Sequence, residues 1–204
     1  MENGLLGRRI AIIGNSGSGK STLARALSQH LGVRHIELDA LNWGPNWTAL
    51  SIEDPEAWAN AVAGAIAGDG WITDGNYSRG ALPQILPRAT DVIWLDYDRW
   101  VIMSRVLRRS LDRALSRQEL WPGTGNREAF HRWLQKDHPI RWTWDTYRDG
   151  NARRAALFAS PELTAVRKHR MRTPGDTRRW LAQASGPGDG SRPTSGVAVP
   201  GRMD

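Results

Sequence analysis

The densest chemistry in the sequence lies at Gly14-Asn15-Ser16-Gly17-Ser18-Gly19-Lys20-Ser21-Thr22, where glycines, hydroxyls and a lysine follow the apolar run IAII. Glycines let consecutive backbone N–H groups turn inward without Cβ clashes, forming a concave nest for anionic oxygens. A helix opening near Lys20 adds the positive end of its dipole beneath that nest. The spacing fits G-x-x-x-x-G-K-[ST] at every fixed position, the pattern that cradles nucleotide phosphates. Lys20 then reaches the β- and γ-phosphates, and the Ser21 hydroxyl is a hard oxygen ligand suited to Mg²⁺. Residues 14–22 are therefore expected to hold ATP or GTP with Mg²⁺; no guanine-reading motif is found, so ATP is the default.

Two acidic residues end other strand-like runs. HIELD closes on Asp39, before ALNWGPNW, and WITD closes on Asp74, before GNYSRG. In an open parallel sheet ligands sit at the carboxyl ends of strands, so both fall on the edge that carries the phosphate loop. Asp74 can orient the water shell of Mg²⁺, and Asp39 can hold an acceptor hydroxyl or assist the metal; the alternative for both is turn capping. Gly75 permits close backbone approach, and Asn76, Tyr77 and Arg79 set polar groups beside it. The tryptophans of LNWGPNW either form a stacking wall, with Trp43 the ligand-facing candidate, or anchor a flap. Of Asp96 and Asp98, one is expected to cap the helix that follows. On that helix Arg105 and Arg109 are four apart and share a face, which suits a migrating phosphoryl group. Arg108, Arg113, Arg117 and Arg127 extend the basic stretch towards WPGTGN, a break that lets the segment act as a lid.

Short apolar runs alternating with helical patterns must position these groups, which predicts βαβ units and a parallel sheet. Strands are expected at Arg9–Ile13, His35–Leu38, Trp71–Thr73, Asp91–Leu95 and Leu163–Arg167. Helices are expected at Ser21–Leu31, with Leu23, Leu27 and Leu31 facing the sheet, and at Pro55–Ile66, with Trp58, Val62 and Ile66 aligned. A longer one spans Arg99–Ser116 and buries Met103, Leu107, Leu111 and Leu115. Further helices are expected around Glu128–Gln135, Pro139–Phe158 and Pro174–Gln183. The sum is a three-layer α/β nucleotide-binding fold with a five-stranded parallel sheet over residues 1–184 and a short arginine-rich lid near 108–130. Residues 185–204, dense in Gly, Pro and Ser, read as a disordered tail.

Composition narrows the classes. The 204 residues suit one domain, and no window approaches the roughly 18 apolar residues of a membrane helix. The N-terminus lacks the pattern of a signal peptide, and the absence of cysteine excludes disulfides and thiolate zinc sites, so the cytoplasm is the expected home. The net charge of +7 is uneven: residues 1–98 carry 7 basic against 11 acidic side chains, whereas 99–132 carry 8 against 3 and 141–180 carry 10 against 4. A basic second half suits a phosphate-bearing partner, nucleotide or nucleic acid. Nothing in the sequence specifies an oligomeric state.

Taken together, the phosphate loop, LDALNWGPNW, WITDGNY, DVIWLD, the arginine-bearing helix and ELWPGTGNRE resemble the adenylate-kinase-like proteins often called DNA topology modulation proteins. The resemblance covers approximately residues 8–182. The wider group includes adenylate, shikimate and gluconate kinases, so it implies ATP-dependent phosphorylation of a small acceptor, a nucleoside or nucleotide among the candidates. It also implies that Asp74-Gly75 stands where nucleoside monophosphate kinases carry D-G-F-P-R, between Mg²⁺ and acceptor. Here Arg79 lies one residue further on, and the phenylalanine and proline are absent. Arg105 and Arg109 match the spaced arginine pair of adenylate kinases, one over the adenine and one on phosphate. Lys20, Arg109 and Asp39 are the expected catalytic groups. The alternatives are an ATP-responsive DNA-binding protein, which the basic second half and the family name allow, and a bare NTPase.

Overall fold

Among the described residues five strands form one parallel sheet, in the order β2-β3-β1-β4-β5. The computed structural model describes residues 6–136 and 138–184; the expected tail at 185–204 lies outside them. The strands are β1 (Arg9–Gly14), β2 (Arg34–Glu37), β3 (Trp71–Asp74), β4 (Asp91–Leu95) and β5 (Arg167–Met171). The helices are α1 (Lys20–Leu31), α2 (Leu38–Asn42), α3 (Leu50–Glu53), α4 (Pro55–Ala65), α5 (Leu82–Ile85), α6 (Arg99–Ser116), α7 (Pro139–Ala159) and α8 (Pro174–Ala184).

Strands β1, β3 and β4 read as near-continuous apolar runs because both of their faces are covered. Ile10, Ile12, Ile72 and Ile93 pack with Leu23, Ala24 and Leu27 of α1 on one face. Ala11, Ile13, Val92 and Trp94 pack with Trp58 and Val62 of α4 on the other, giving three layers. The chain leaves central β1 for edge strand β2, returns to β3 between them, then crosses over β1 to β4. Connections from β1 and β3 thus diverge at their carboxyl ends, and such a switch point opens a crevice there.

Local signals set the helix ends. Asp54 accepts from the Ala57 N–H at 2.9 Å ahead of Pro55, starting α4. Asp98 accepts from the Trp100 N–H at 2.8 Å and starts α6, so it is the expected cap, while Asp96 pairs with Arg170 at 2.6 Å.

Four expectations are corrected. The last strand is Arg167–Met171, not Leu163–Arg167: Leu163 ends a 3-10 turn and is buried, while the charged RKHRM segment pairs with β4 as an edge strand. An edge strand with a solvated side need not be apolar, so the apolar signal pointed a few residues early. Strand β2 stops at Glu37 and Leu38 opens α2, which places Asp39 in a helical first turn. Residues 128–135 hold only a 3-10 turn at Phe130–Arg132 rather than a helix. On α6 the stripe that faces the core is Ile102, Val106, Ser110 and Ala114, beside Met103, whereas Leu107, Leu111 and Leu115 are 43%, 43% and 68% exposed. The sequence offers two i, i+4 stripes one residue apart, and only one can face inward. The smaller stripe does so because the phosphate loop approaches closely: a Cβ on Gly17 (φ 79°) would lie 2.5 Å from Val106 Cγ2.

Candidate active site

The phosphate loop joins β1 to α1 at the crevice. Gly14, Gly17 and Gly19 all have positive φ, which a side chain would strain. Asn76, following β3, pins the loop from below: its amide oxygen accepts from the Gly14 N–H at 3.1 Å and its amide nitrogen donates to the Gly14 carbonyl at 2.5 Å. The Lys20 ammonium folds onto the loop, donating to the carbonyls of Gly14 and Asn15 at 3.0 and 3.1 Å. Burial lowers its pKa, while Asp39 and Asp74 act in the opposite direction. Ser16 and Ser21 are half-buried, Ser18 is buried with an unpartnered hydroxyl, and Thr22 is exposed.

Three carboxylates gather at the ends of β2 and β3. Asp74 is 3% exposed and neither of its oxygens accepts a hydrogen bond, although the His35 imidazole lies 3.5 Å away. Its register partner on β2 is Glu37, so the two side chains share one face of the sheet. Burial, then Asp74 and Asp39, raise the Glu37 pKa. Asp39 is exposed and accepts from the Tyr77 hydroxyl at 2.7 Å; burial and that carboxylate raise the tyrosine pKa, so the phenol stays a donor. Neither Asp39 nor Asp74 caps a helix. Gly75 (φ 151°) lets the chain pass Leu38, where a Cβ would lie 2.9 Å from the leucine side chain.

A buried carboxylate without hydrogen bonds at the end of β3, on the edge where Ser21 opens α1, has the chemistry to suit a divalent cation. Among the described residues no group of three His, Cys, Asp or Glu side chains forms a closed cation cage. Mg²⁺ held by Asp74 and Ser21 would therefore take its other ligands from water and phosphate, the usual habit of that ion.

Cations converge on the loop from the opposite side. Arg105 donates to the Ser18 carbonyl at 3.2 Å, and its guanidinium lies 5.3 Å from the Tyr97 ring centroid. Arg109 donates to Ser16 Oγ at 3.0 Å; burial, then Arg113, bring its pKa down to about 10. From α7, Arg154 donates to the side-chain oxygens of Asn15 and Asn151 at 2.6 Å each, and Asn15 donates to Asn151 at 2.9 Å. Burial lowers Arg154 to about 10 as well. Neither Arg154 nor Asn151 stood out in the sequence, because α7 carries many arginines and nothing local marks the one that faces the loop.

Helix α6 continues to Ser116, so the first residues of the expected 108–130 lid are helical and segment 117–136 follows without α-helix. It folds back through an antiparallel bridge between Glu119 and Arg127 and docks on the 43–48 loop. Asn126, 2% exposed, accepts from the Trp47 N–H at 3.0 Å and donates to the Gly44 carbonyl at 2.8 Å. Trp43 stacks on Trp121 with centroids 6.1 Å apart, and Trp47 meets both edge-on at 5.9 Å. The tryptophans of LNWGPNW thus anchor the flap to the lid. The Trp121 side chain also lies near the Glu37 carboxyl. Arg79 remains exposed and its side chain is not drawn into this arrangement, although its carbonyl accepts from Trp58 at 3.3 Å. Nothing in the sequence distinguishes Trp121 and Asn126 as site residues, and for Glu37 the one available signal is the alternation that puts it in register with Asp74.

No protein-family model and no curated relative matches the chain. Solved structures do. A shikimate kinase from Acinetobacter baumannii in complex with shikimate is 16% identical, with a TM-score of 0.53 over 88% of this chain and 90% of that one. A shikimate kinase from Bacteroides thetaiotaomicron is 16% identical, with a TM-score of 0.50 over 86% of this chain and 95% of that one. At this identity the likeness concerns architecture, and the chain has the α/β P-loop fold of these kinases, with its phosphate loop, carboxylates and arginines gathered at one sheet edge.

Proposed function

We propose that the protein is an ATP-dependent kinase that transfers the γ-phosphoryl group of Mg-ATP to a hydroxyl of a small acceptor. The observation that carries this reading is the pairing of two half-sites across the crevice: a cradle of four cations on the phosphate loop, and the Asp39–Tyr77 pair beyond it. A bare NTPase has no use for the second half. The expected DNA-linked role rests on bulk charge, and three of the arginines behind that charge make their bonds at the loop.

In this reading the loop N–H groups and Lys20 hold the triphosphate, and Lys20 exchanges its two carbonyl partners for phosphate oxygens. Arg109 releases Ser16 and follows the migrating group, while Arg105 flanks the base side over Tyr97. Ser21 and Asp74, with Glu37 close by, would hold the Mg²⁺ that accompanies ATP, and the ion would supply charge neutralisation there. Asp39 has one oxygen engaged by Tyr77 and offers the other to the acceptor hydroxyl, which it orients and relieves of its proton. The acceptor O–P bond forms as the bond between the γ-phosphorus and the β,γ-bridging oxygen breaks, and ADP leaves. Positioning and electrostatics supply most of the acceleration in such transfers. Closure of the 117–136 lid excludes water. Trp43, Gly75 and Asn76 shape the acceptor side, and Arg79 stands at its rim.

The test is ADP release from Mg-ATP in the presence of pooled hydroxyl compounds. An acceptor-dependent rate that vanishes in Lys20→Ala supports the reading; hydrolysis that ignores every acceptor rejects it. Binding of duplex DNA that persists at moderate salt would favour the regulatory alternative.

A further inference from the structure

Charge in the site falls into two groups that meet at the phosphate loop, and their make-up bears on the acceptor. Lys20 interacts with Asp39 and Asp74 as well as with Arg109 and Arg154, and Arg109 in turn interacts with Asp39 and Glu37. On the donor side, Lys20, Arg105, Arg109 and Arg154 each make hydrogen bonds to phosphate-loop atoms, where a triphosphate would engage them. On the acceptor side stand Glu37, Asp39 and Asp74. Asp74 is 97% buried with both oxygens unpartnered, so the crevice already contains an anion that nothing in the protein neutralises by hydrogen bonding. If Mg²⁺ accounts for Asp74 and Glu37, Asp39 still faces the acceptor with one oxygen to offer.

The cover is aromatic: Trp121 stacks on Trp43, and Trp47 meets both edge-on. The Arg132 guanidinium lies 4.2 Å from the Trp47 centroid. A carboxylate or phosphate on the acceptor would meet like charge at Glu37, Asp39 and Asp74, whereas a hydroxyl or an amine finds acceptors for its hydrogens there.

We infer that the acceptor is a hydroxyl compound that is uncharged or carries an amine, rather than one bearing a carboxylate or phosphate. This rests on the kinase reading above and specifies the substrate class of the same site. Three pools assayed by coupled ADP release with Mg-ATP test it. The first holds neutral polyols and nucleosides including D-sorbitol, the second holds amino alcohols and amino sugars including 1-amino-1-deoxy-D-sorbitol, and the third holds D-gluconate, shikimate and AMP. Thermal protection by Mg-ATP verifies that the donor site is filled. Stimulation by the neutral or amine pool at least tenfold above the anionic pool supports the inference. Equal or greater stimulation by the anionic pool overturns it and leaves the kinase reading intact. No stimulation by any pool while Mg-ATP still protects overturns the kinase reading itself. Asp39→Asn adds a charge-specific readout: it should narrow any preference for the amino compound over its neutral counterpart, and an unchanged ratio would count against Asp39 as the acceptor-facing charge.

Discussion

Two aspartates are buried at opposite ends of the same sheet. Asp91 opens β4 and is fully buried. It accepts from the Gly7 N–H at 2.9 Å, from two nitrogens of Arg167 at 3.0 Å each, and from His169 at 2.9 Å. Asp74 closes β3, is equally inaccessible, and accepts nothing. Burial raises the cost of a charge unless partners offset it. At Asp91 the protein supplies every partner, tying β4, β5 and the chain before β1 together. At Asp74 it supplies the His35 imidazole at 3.5 Å and no hydrogen bond. A hydrogen-bonded buried carboxylate is a fastening; one left without hydrogen bonds at the carboxyl edge of a parallel sheet is a candidate for binding.

The contrast can be broken at either end. The largest effect is expected at the phosphate loop, on the same sheet edge as Asp74: Lys20→Ala should lower acceptor-dependent turnover about 10³-fold, as loss of a preorganised transition-state cation does, with the thermal midpoint nearly unchanged. Asp74→Asn should cost about 10²-fold in turnover. No hydrogen bond is lost and repulsion with Glu37 is relieved, while the attraction to Lys20 and the His35 contact at 3.5 Å are given up, so its unfolding free energy should stay within about 1 kcal/mol of that of the parent. A clearly destabilised but active D74N would show that Asp74 is a fastening after all. Asp91→Asn should behave in reverse, losing about 2 kcal/mol of stability in denaturant unfolding because one Arg167–carboxylate pair is broken beside a half-exposed guanidinium, while turnover per folded molecule holds.

Acid titration sharpens the same contrast. Burial alone would raise the Asp91 pKa, but His169, Arg167, Gly7 and Thr90 hold it below the ordinary carboxylate value of 3.8. The unfolded chain therefore takes up this proton first as pH falls. The stability that Asp91 contributes is present above pH 3.8 and lost as pH drops from there through the lower folded value. In D91N that part of the acid transition should disappear, measured as a flatter dependence of unfolding free energy on pH. The smallest effect is expected at the lid: Asn126→Ala removes the bonds to Trp47 and Gly44 and should raise acceptor KM several-fold at a stability cost of about 1 kcal/mol.

The sequence by itself determined the phosphate loop. Its backbone is dictated by neighbours in the chain: glycines at the positive-φ positions, an apolar strand before them, and a helix whose leucines repeat every four residues. Asp74 was legible for the same reason, as the last residue of a short apolar run on the edge that the loop defines. The pairing of Glu37 with Asp74, the choice of Arg154 among the arginines of α7, and the docking of Trp121 and Asn126 on the flap were not legible. Nor was the face of α6 that turns inward, since two apolar stripes compete at identical spacing. Those outcomes depend on strand register and on crossovers that bring together residues more than a hundred positions apart, as with Asn15 and Arg154. A side chain's type fixes what it can bond. Only the tertiary structure decided which partners it has, and which, like Asp74, make no hydrogen bond within the protein.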